Sequence, residues 1–315
     1  MKKILICGGL LIDRYLSVDK YPSRGGDGYI TDSFDVVGGC SVNMAKTVKN
    51  LGANPYIVSY AGNDPWGDKI IAFMESEKLP VDCVRRTDGS TGYCFVFLEP
   101  DGERTFLTYK GCETKYSDSL TAGAANVEFC ACAITGYYLL DETSVGLFKR
   151  IKELKAGGCP IVFDPSPLIE KIPKNYIEDI LSICDAAVPN ESEAKTLAAL
   201  LGYKTPEEWA YNLSKRGVVV IVTRGGAGGA LYKDGEKTTY VAVNANVADT
   251  TGAGDSFTGA IAYALGNGVE PEKAVTLAAS AAAVTASVKG PHGYFDLSCL
   301  TPEAQAVWKE SRNGR

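Results

Sequence analysis

The feature that most constrains the fold of this 315-residue chain is a regular alternation of short apolar runs with longer amphipathic stretches. The apolar runs, which predict buried strands, are residues 3–8, 55–60, 129–135, 160–164, 185–188 and 218–223. The intervening stretches predict helices over residues 41–51, 65–77, 142–156, 191–201 and 206–216, with close-packed helices in the Ala- and Gly-rich stretch 256–288. Strands separated by helices form right-handed βαβ units. The sequence therefore predicts a mostly parallel sheet with helices on both faces.

Two segments, residues 14–37 and 92–110, interrupt this alternation. They contain shorter alternating runs of Thr, Tyr, Val and Phe with turn residues such as Asp101-Gly102, a pattern typical of antiparallel strands. We expect the two segments to join into a small separate sheet that forms a discontinuous lid. The larger unit would then comprise residues 1–13, 38–91 and 111–315.

Composition excludes several classes of function and partner. A net charge of −6 and a pI near 5.1 give no basic excess that would attract nucleic acid or an anionic membrane surface. No apolar run approaches the roughly 20 residues needed to span a bilayer. The apolar start up to Ile12 is followed at once by Asp13 and Arg14 without a small-residue cleavage site, so a buried first strand explains it better than a signal peptide.

The ten cysteines show no C-x-x-C pair and no metal-ligand spacing. Free cysteines behave as small buried hydrophobic residues, and a chain of this size needs no disulfide bonds to fold. We therefore expect a reducing, cytoplasmic location.

Familiar phosphate-binding and hydrolytic motifs are absent from the sequence. It contains neither the G-x-x-x-x-G-K-[ST] P-loop nor the dinucleotide motif G-x-G-x-x-G. His292 is the only histidine, which excludes multi-histidine metal sites, and no nucleophile elbow is present. Any phosphate site must therefore use a different scaffold.

The strongest chemical signal is the stretch from Asp249 to Phe257, which reads DTTGAGDSF. Its small residues Gly252, Ala253 and Gly254 allow successive backbone N–H groups to converge where a helix begins. Such a turn forms an anion hole suited to a transferring phosphoryl group, and Asp255 beside it could accept a proton from an attacking hydroxyl. The same letters also fit a glycine-rich turn in which Asp255 only caps the helix.

A second glycine-rich turn precedes the first predicted helix. Gly38 and Gly39 allow a ligand to approach the backbone closely, and Asn43 offers a donor and an acceptor to hydroxyl groups. An ordinary strand-to-helix turn with a solvated Asn43 explains the pattern equally well.

Two further motifs follow predicted strands. Asn190 and Glu193 stand three apart at a helix start, a spacing that suits a magnesium ion held partly through water, although a capped helix fits as well. The turn Thr223 to Gly229, TRGGAGG, could admit a nucleotide to the backbone, but taken alone it fits a tight hairpin better.

In this order and spacing the motifs resemble those of the ribokinase-like, or PfkB, carbohydrate kinases over about residues 3–300. Residues 38–62 are similar to the N-terminal family signature, with Ser41 as a mild deviation. Residues 249–262 match the C-terminal signature at every defined position. Asn190-x-x-Glu193 matches the family's magnesium motif.

The resemblance implies an α/β protein, an αβα sandwich with a central, mostly parallel sheet and a small β-sheet lid. It implies ATP-dependent transfer of the γ-phosphate to a hydroxyl group, with Asp255 as the catalytic base and Gly252, Ala253 and Gly254 as the anion hole. The implied ATP-binding residues are Asn190, Thr223, Gly225, Gly226, Gly228 and Gly254, with Mg²⁺ held by Glu193 and by Asn190, partly through water. The implied substrate-binding residues are Asp13, Gly38, Gly39, Asn43, Arg104 and Tyr137.

Two further expectations follow from the resemblance. Asp249 and Thr251 would bind an activating K⁺ together with the loop 286–293, as in family members with a monovalent-cation site. A homodimer would form through the β-lid.

The substrate is the least determined part of this hypothesis. Tyr137 stands where ribokinase places a glutamate toward its sugar, which disfavours ribose itself. We expect a sugar or sugar-like polyol, with a nucleoside as the alternative, while Arg104 and Lys110 would suit an acidic sugar. A non-catalytic sugar-responsive binding protein is the competing class, but such a sensor would not need Asp255 or the magnesium motif.

Overall fold

The computed structural model describes residues 1–100, 103–290 and 296–313. Its strands are β1 Lys3–Cys7, β2 Leu11–Val18, β3 Ile30–Gly38, β4 Asn54–Gly62, β5 Val84–Thr87, β6 Tyr93–Leu98, β7 Arg104–Tyr109, β8 Ala131–Thr135, β9 Ile161–Asp164, β10 Ala186–Ala187, β11 Val219–Thr223, β12 Gly229–Lys233 and β13 Glu236–Tyr240. Its helices are α1 Cys40–Asn50, α2 Pro65–Ser76, α3 Ser119–Ala122, α4 Ser144–Ala156, α5 Lys174–Ile183, α6 Glu191–Leu201, α7 Pro206–Ser214, α8 Ala253–Gly266, α9 Pro271–Ala286 and α10 Pro302–Asn313.

The large sheet of the described chain has nine strands in the order β13-β12-β11-β10-β9-β8-β1-β4-β5. All pairs from β11 to β5 are parallel, because each of these strands is reached through a longer, mostly helical connection. The edge strands β12 and β13 are antiparallel, because short turns link them to β11 and to each other.

The two faces of this sheet carry separate cores. In β1, alternation directs Ile4 and Ile6 into one core, which the buried faces of α1, α2, α8, α9 and α10 complete. Leu5 and Cys7 point into the other core, built with α4 to α7. This arrangement confirms the predicted αβα sandwich, and parallel strands covered on both faces explain why the predicted strand runs are uniformly apolar.

The predicted small sheet is also present, with the order β3-β2-β6-β7. The hairpins β2–β3 and β6–β7 are antiparallel, and β2 and β6 join them in parallel. Asp13 lies in β2 and Gly38 ends β3, so both belong to the small sheet rather than to the larger unit assigned to them from the sequence. The Asp101-Gly102 turn lies outside the described residues.

Each of the ten cysteines is free. Across the described ranges, the helices are too short or too polar to traverse a lipid bilayer.

Candidate active site

Asp255 occupies the first turn of α8, which begins at Ala253 after Gly252 in a left-handed conformation with φ 76°. A left-handed backbone favours glycine, so the sequence directs the turn and the helix start to this point. Of the three predicted hole residues, Ala253 already donates its N–H to the Thr250 carbonyl at 3.2 Å. Gly254 faces open space, with no atom within 4 Å of where a Cβ would lie. The helix start therefore leaves room for an anion above Gly254.

Asn43 on α1 contacts this carboxylate directly. Its Nδ2 donates to Asp255 Oδ2 at 2.7 Å, which joins two signature motifs 212 residues apart. Its Oδ1 is buried and has no hydrogen-bond partner among the described residues. Because buried polar atoms are almost always paired, this oxygen is suited to accept a hydrogen bond from a bound hydroxyl.

The start of α1 explains how Asn43 reaches Asp255. Gly39 has φ 97°, and a Cβ there would lie 2.3 Å from the Gly9 carbonyl oxygen. Ser41, the mild deviation from the signature, donates its hydroxyl to the same carbonyl at 2.6 Å. Gly39 and Ser41 therefore hold the start of α1 against the middle of the β1–β2 connection.

Asp13 lies near Asn43 and Asp255 and reaches them from strand β2 of the small sheet. A Cβ on Gly38 would lie 1.9 Å from Asp13 Oδ2, so the carboxylate rests in the space that the missing side chain leaves. Burial, and secondarily the charge of Asp255, raise the pKa of Asp13 to about 7. Burial also raises the pKa of Asp255, against the lowering effect of the Asn43 amide.

Asn190 and Glu193 form a capping box at the start of α6. The Asn190 side chain accepts from the Glu193 N–H at 2.9 Å, and the Glu193 carboxylate accepts from the Asn190 N–H at 2.8 Å. The two residues therefore cap helix α6, as the alternative interpretation of this motif predicted. Glu193 is nevertheless buried, and its pKa is raised by burial and by the charge of Asp255, so the two carboxylates lie near each other.

Asp164, at the carboxyl end of β9, is a member of this group that the sequence analysis missed. Its carboxylate accepts from Thr258 Oγ1 at 2.9 Å and from the Ser166 N–H at 3.2 Å. Burial and the charges of Glu193 and Asp255 hold its pKa well above the usual range. Its position as the last residue of an apolar parallel strand was the available signal, because ligands bind beyond the carboxyl ends of such strands.

Four acidic side chains thus influence one another with little compensating charge: Asp13, Asp164, Glu193 and Asp255. None forms an ion pair with a described residue. Nor do three or more acidic, cysteine or histidine side chains of the described chain gather closely enough to coordinate one metal ion. A cation held partly by nucleotide oxygens and water fits such a set, and this is how Mg²⁺ is usually bound.

A cavity of about 450 Å³ lies beside the acidic group. It is lined by all six of the predicted ATP-binding residues, Asn190, Thr223, Gly225, Gly226, Gly228 and Gly254. Its apolar wall is formed by Tyr240 at the end of β13, by Phe257 of the DTTGAGDSF motif, and by residues that belong to no sequence motif, in the segment after β13 and in α9: Ala242, Val243, Ala245, Val247, Ala279, Ala282, Ala283 and Ala286. An apolar slot that ends in glycine turns suits a flat base with attached phosphates.

The remaining predicted residues lie at different distances from the centre. Tyr137 lies close to the acidic group. Burial raises the pKa of its hydroxyl, and the charges of Cys40, Asp255, Asp164 and Glu193 raise it further. Arg104 pairs with Leu98 in the small sheet, but its side chain lies outside the described part.

The predicted cation residues are connected to each other. Asp249 accepts from the Thr251 N–H at 2.8 Å and from the Gly290 N–H at 3.0 Å. The segment after α9 thus returns as far as Gly290 to the turn before Gly252, while residues 291–293 of the predicted loop lie outside the described ranges.

Comparison with known proteins decides the family. The family model for pfkB family carbohydrate kinases matches residues 1–294. The chain is a pfkB family carbohydrate kinase. As a member, it is an ATP-dependent phosphotransferase with an alcohol acceptor, which confirms the predicted class and disfavours the non-catalytic alternative.

Individual relatives agree with this assignment. The uncharacterised sugar kinase YegV of Escherichia coli is 27% identical over 286 residues, 88% of this chain and 86% of that protein. The ribokinase of Thermotoga maritima is 26% identical, with a TM-score of 0.80 over 99% of both chains. A solved Escherichia coli structure containing ATP and Mg²⁺ shares the fold, with 24% identity and a TM-score of 0.80 over 98% of this chain and 100% of that one.

Proposed function

We propose that this pfkB family kinase transfers the γ-phosphoryl group of Mg·ATP to a hydroxyl of a sugar or sugar-like polyol. The observation that carries the proposal is the Asn43–Asp255 hydrogen bond of 2.7 Å, at the junction between a glycine-lined cavity and a polar group from the small sheet. Nucleotide and acceptor can thus meet at one carboxylate. Relatives named as sugar kinases and ribokinases support the sugar class.

Asp255 would act as the general base. Its raised pKa lies closer to neutrality than that of an ordinary aspartate, which suits proton transfer from a hydroxyl. The Asn43 amide orients the carboxylate and favours its charged form. The free Asn43 Oδ1 and the Asp13 carboxylate would accept hydrogen bonds from further hydroxyls of the acceptor and so fix which oxygen attacks.

The Gly252–Gly254 turn would receive the charge that develops on the transferred group, with Gly252 and Gly254 as the main donors because the Ala253 N–H is engaged. Positioning and charge neutralisation carry most of the acceleration in phosphoryl transfer. Mg²⁺ supplies charge neutralisation on the phosphates when bound. Glu193 and Asn190 would hold it, with Asp164 as an additional carboxylate.

Four further features belong to this proposal. The small sheet would serve as the lid over the acceptor, with Arg104 directed to it. A K⁺ ion would be bound near Asp249 and Thr251, supported by the hydrogen bond from Gly290 to Asp249.

A homodimer through the small sheet is supported by its exposed apolar side chains, among them Phe34, Phe106 and Leu107. Ten free cysteines support a reducing, cytoplasmic location.

A panel of hexoses, pentoses, sugar acids and nucleosides, scored by kcat/KM with ATP, tests the substrate class. We expect the best acceptor to be a sugar or polyol. A nucleoside preferred by more than about tenfold, roughly 1.4 kcal/mol of discrimination in the transition state, would replace the proposal by the nucleoside alternative. Preference for a sugar acid would instead assign Arg104 and Lys110 to its carboxylate.

A further inference from the structure

The described chain crosses between the large unit and the small sheet at four places, and glycine stands at each of them. The crossings are Gly8-Gly9 before β2, Gly38-Gly39 after β3, Gly92 before β6 and Gly111 after β7. Their backbones touch: a Cβ on Gly39 would lie 2.3 Å from the Gly9 oxygen, and one on Gly111 2.3 Å from the Ser90 oxygen. Any movement of the small sheet relative to the large unit must therefore change the backbone conformation at these four crossings.

Glu113 lies among these four crossings, and only 2% of its surface is exposed. The Gly111 N–H donates to both carboxylate oxygens, at 3.2 Å to Oε1 and 3.0 Å to Oε2. A Cβ on Gly92 would lie 2.3 Å from Glu113 Oε2, and one on Gly9 would lie 3.8 Å from Glu113 Cγ. The carboxylate therefore binds two of the four crossings, at Gly111 and Gly92, and the methylene groups of the same side chain face the crossing at Gly9.

The environment of this carboxylate is unusual for a residue that serves packing alone. Burial raises the pKa of Glu113, while the backbone N–H groups of Glu113, Gly111 and Gly92 and the charge of Lys110 lower it. It makes no ion pair with a described residue. A buried charge destabilises a fold strongly unless hydrogen bonds compensate it, and here the compensating donors are the backbone N–H groups of the crossings themselves.

The crossing before β6 is also anchored from the large unit. Asp64 caps α2 and accepts from the N–H and the hydroxyl of Thr91, both at 2.8 Å. Thr91 is therefore held to the large unit. Glu113 binds both Gly92, which precedes strand β6, and Gly111, which follows strand β7, and so links the two open ends of the β6–β7 hairpin.

We propose that Glu113 is a positioning residue, which sets the placement of the small sheet over the acceptor by binding the chain crossings that carry it. The inference rests on the proposed role of the small sheet as the acceptor lid. Glu113 contacts neither Asp255 nor the nucleotide cavity, so its loss should affect acceptor binding before it affects ATP binding.

The test is the Glu113→Gln variant of the full-length chain, which keeps the shape of the side chain but exchanges one acceptor oxygen for a donor. We expect the acceptor KM to rise about tenfold or more, the effect of losing roughly one charge-assisted hydrogen bond, with a much smaller change in the ATP KM. Hydrogen exchange should accelerate in β2, β3, β6 and β7 and remain unchanged in β1, β8 and β9.

Asp185→Asn is the control. The Asp185 carboxylate also accepts from a backbone N–H, that of Ile161 at 2.8 Å, but it lies at the opposite ends of the large-sheet strands and, unlike Glu113 in the described chain, is ion-paired with Lys155. This variant should lower the melting temperature without changing the acceptor KM. If Glu113→Gln behaved like it, or if exchange rose equally in both sheets, the carboxylate would be merely structural and the proposal would be wrong.

A second variant guards against misfolding of the first. Gly92→Ala would introduce a Cβ at 2.3–2.4 Å from the Glu113 carboxylate and displace it without removing its charge. We expect the same selective exchange in the small sheet, and unchanged exchange there would also refute the proposal. Because hydrogen exchange needs no substrate, failure to find a sugar acceptor would contradict the proposed function and leave this test intact.

Discussion

Replacement of Asn43 by leucine is the most informative perturbation of the proposed catalytic centre. The 2.7 Å hydrogen bond from its amide to Asp255 stabilises the ionised carboxylate more strongly than the protonated form and so opposes the effect of burial, which raises the pKa. A hydrogen bond to a charged group contributes about 1.5–3 kcal/mol. Since one pKa unit corresponds to about 1.4 kcal/mol, the pKa of Asp255 should rise by about 1–2 units in Asn43→Leu.

The sign of the effect on activity follows from the role of the carboxylate. Asp255 can accept a proton only when ionised, so activity falls as the pH drops through its pKa. A higher pKa moves this loss upward, and the acid limb of the kcat/KM profile for the acceptor should shift by about 1–2 pH units toward higher pH. The position of the acid limb on the pH axis does not depend on any overall loss of activity that follows from removing the proposed Asn43 contact to the acceptor.

Thermal unfolding offers a second measurement with its own sign. A carboxyl group with a raised pKa in the folded state destabilises the fold once the pH rises through that pKa. In the folded state, the pKa of Asp255 is expected to be higher in Asn43→Leu than in the wild type. Its melting temperature should therefore fall further below that of the wild type at pH 8 than at pH 4.

Thr47→Val provides the matched control. Thr47 lies one turn further along α1, and its hydroxyl donates to Ser256 Oγ at 2.9 Å, so the variant loses a hydrogen bond between the same two helices without touching Asp255. Its acid limb should coincide with that of the wild type. If the limb of Asn43→Leu also stayed in place, Asp255 would not be the group whose ionisation controls catalysis.

Three other predictions concern the same centre. Asp255→Asn should retain ATP binding but lower kcat by roughly 10²-fold or more; near-normal turnover would eliminate Asp255 as the base. Gly254→Val should leave the melting temperature almost unchanged, because the space above Gly254 is open, yet raise the ATP KM; a large loss of stability instead would show that this space is needed for folding. Rates should be higher in K⁺ than in a bulky organic cation, with Asp249→Asn abolishing the difference, and equal rates would remove the cation site.

The secondary structure was largely predictable because local patterns encode it. Apolar runs without alternation predicted β1, β8, β9 and β11 within one or two residues at each end, since strands buried on both faces need no polar positions. The small sheet was predictable from alternation. Its boundary was not, because β2 and β3 extend across Asp13 and Gly38 to meet each other, and strand pairing is a tertiary property.

The site was only partly predictable. Motif residues such as Asp255 and Asn43 were identified from their glycine-rich surroundings, where the backbone itself forms the site. Asp164 and the alanine-rich wall of α9 were missed, because an acidic residue after a strand and alanines on a helix occur in any α/β protein. Their role depends on which strand ends and helix faces converge.

The sequence by itself determined the order of strands and helices, the glycine turns and the family, because these depend on residues close together in the chain. The tertiary structure decided that Asn43 meets Asp255 across 212 positions. It likewise decided that Asp13, Asp164 and Glu193 share one desolvated region. The raised pKa values of these groups arise from burial and mutual repulsion, which exist only once distant segments have packed together.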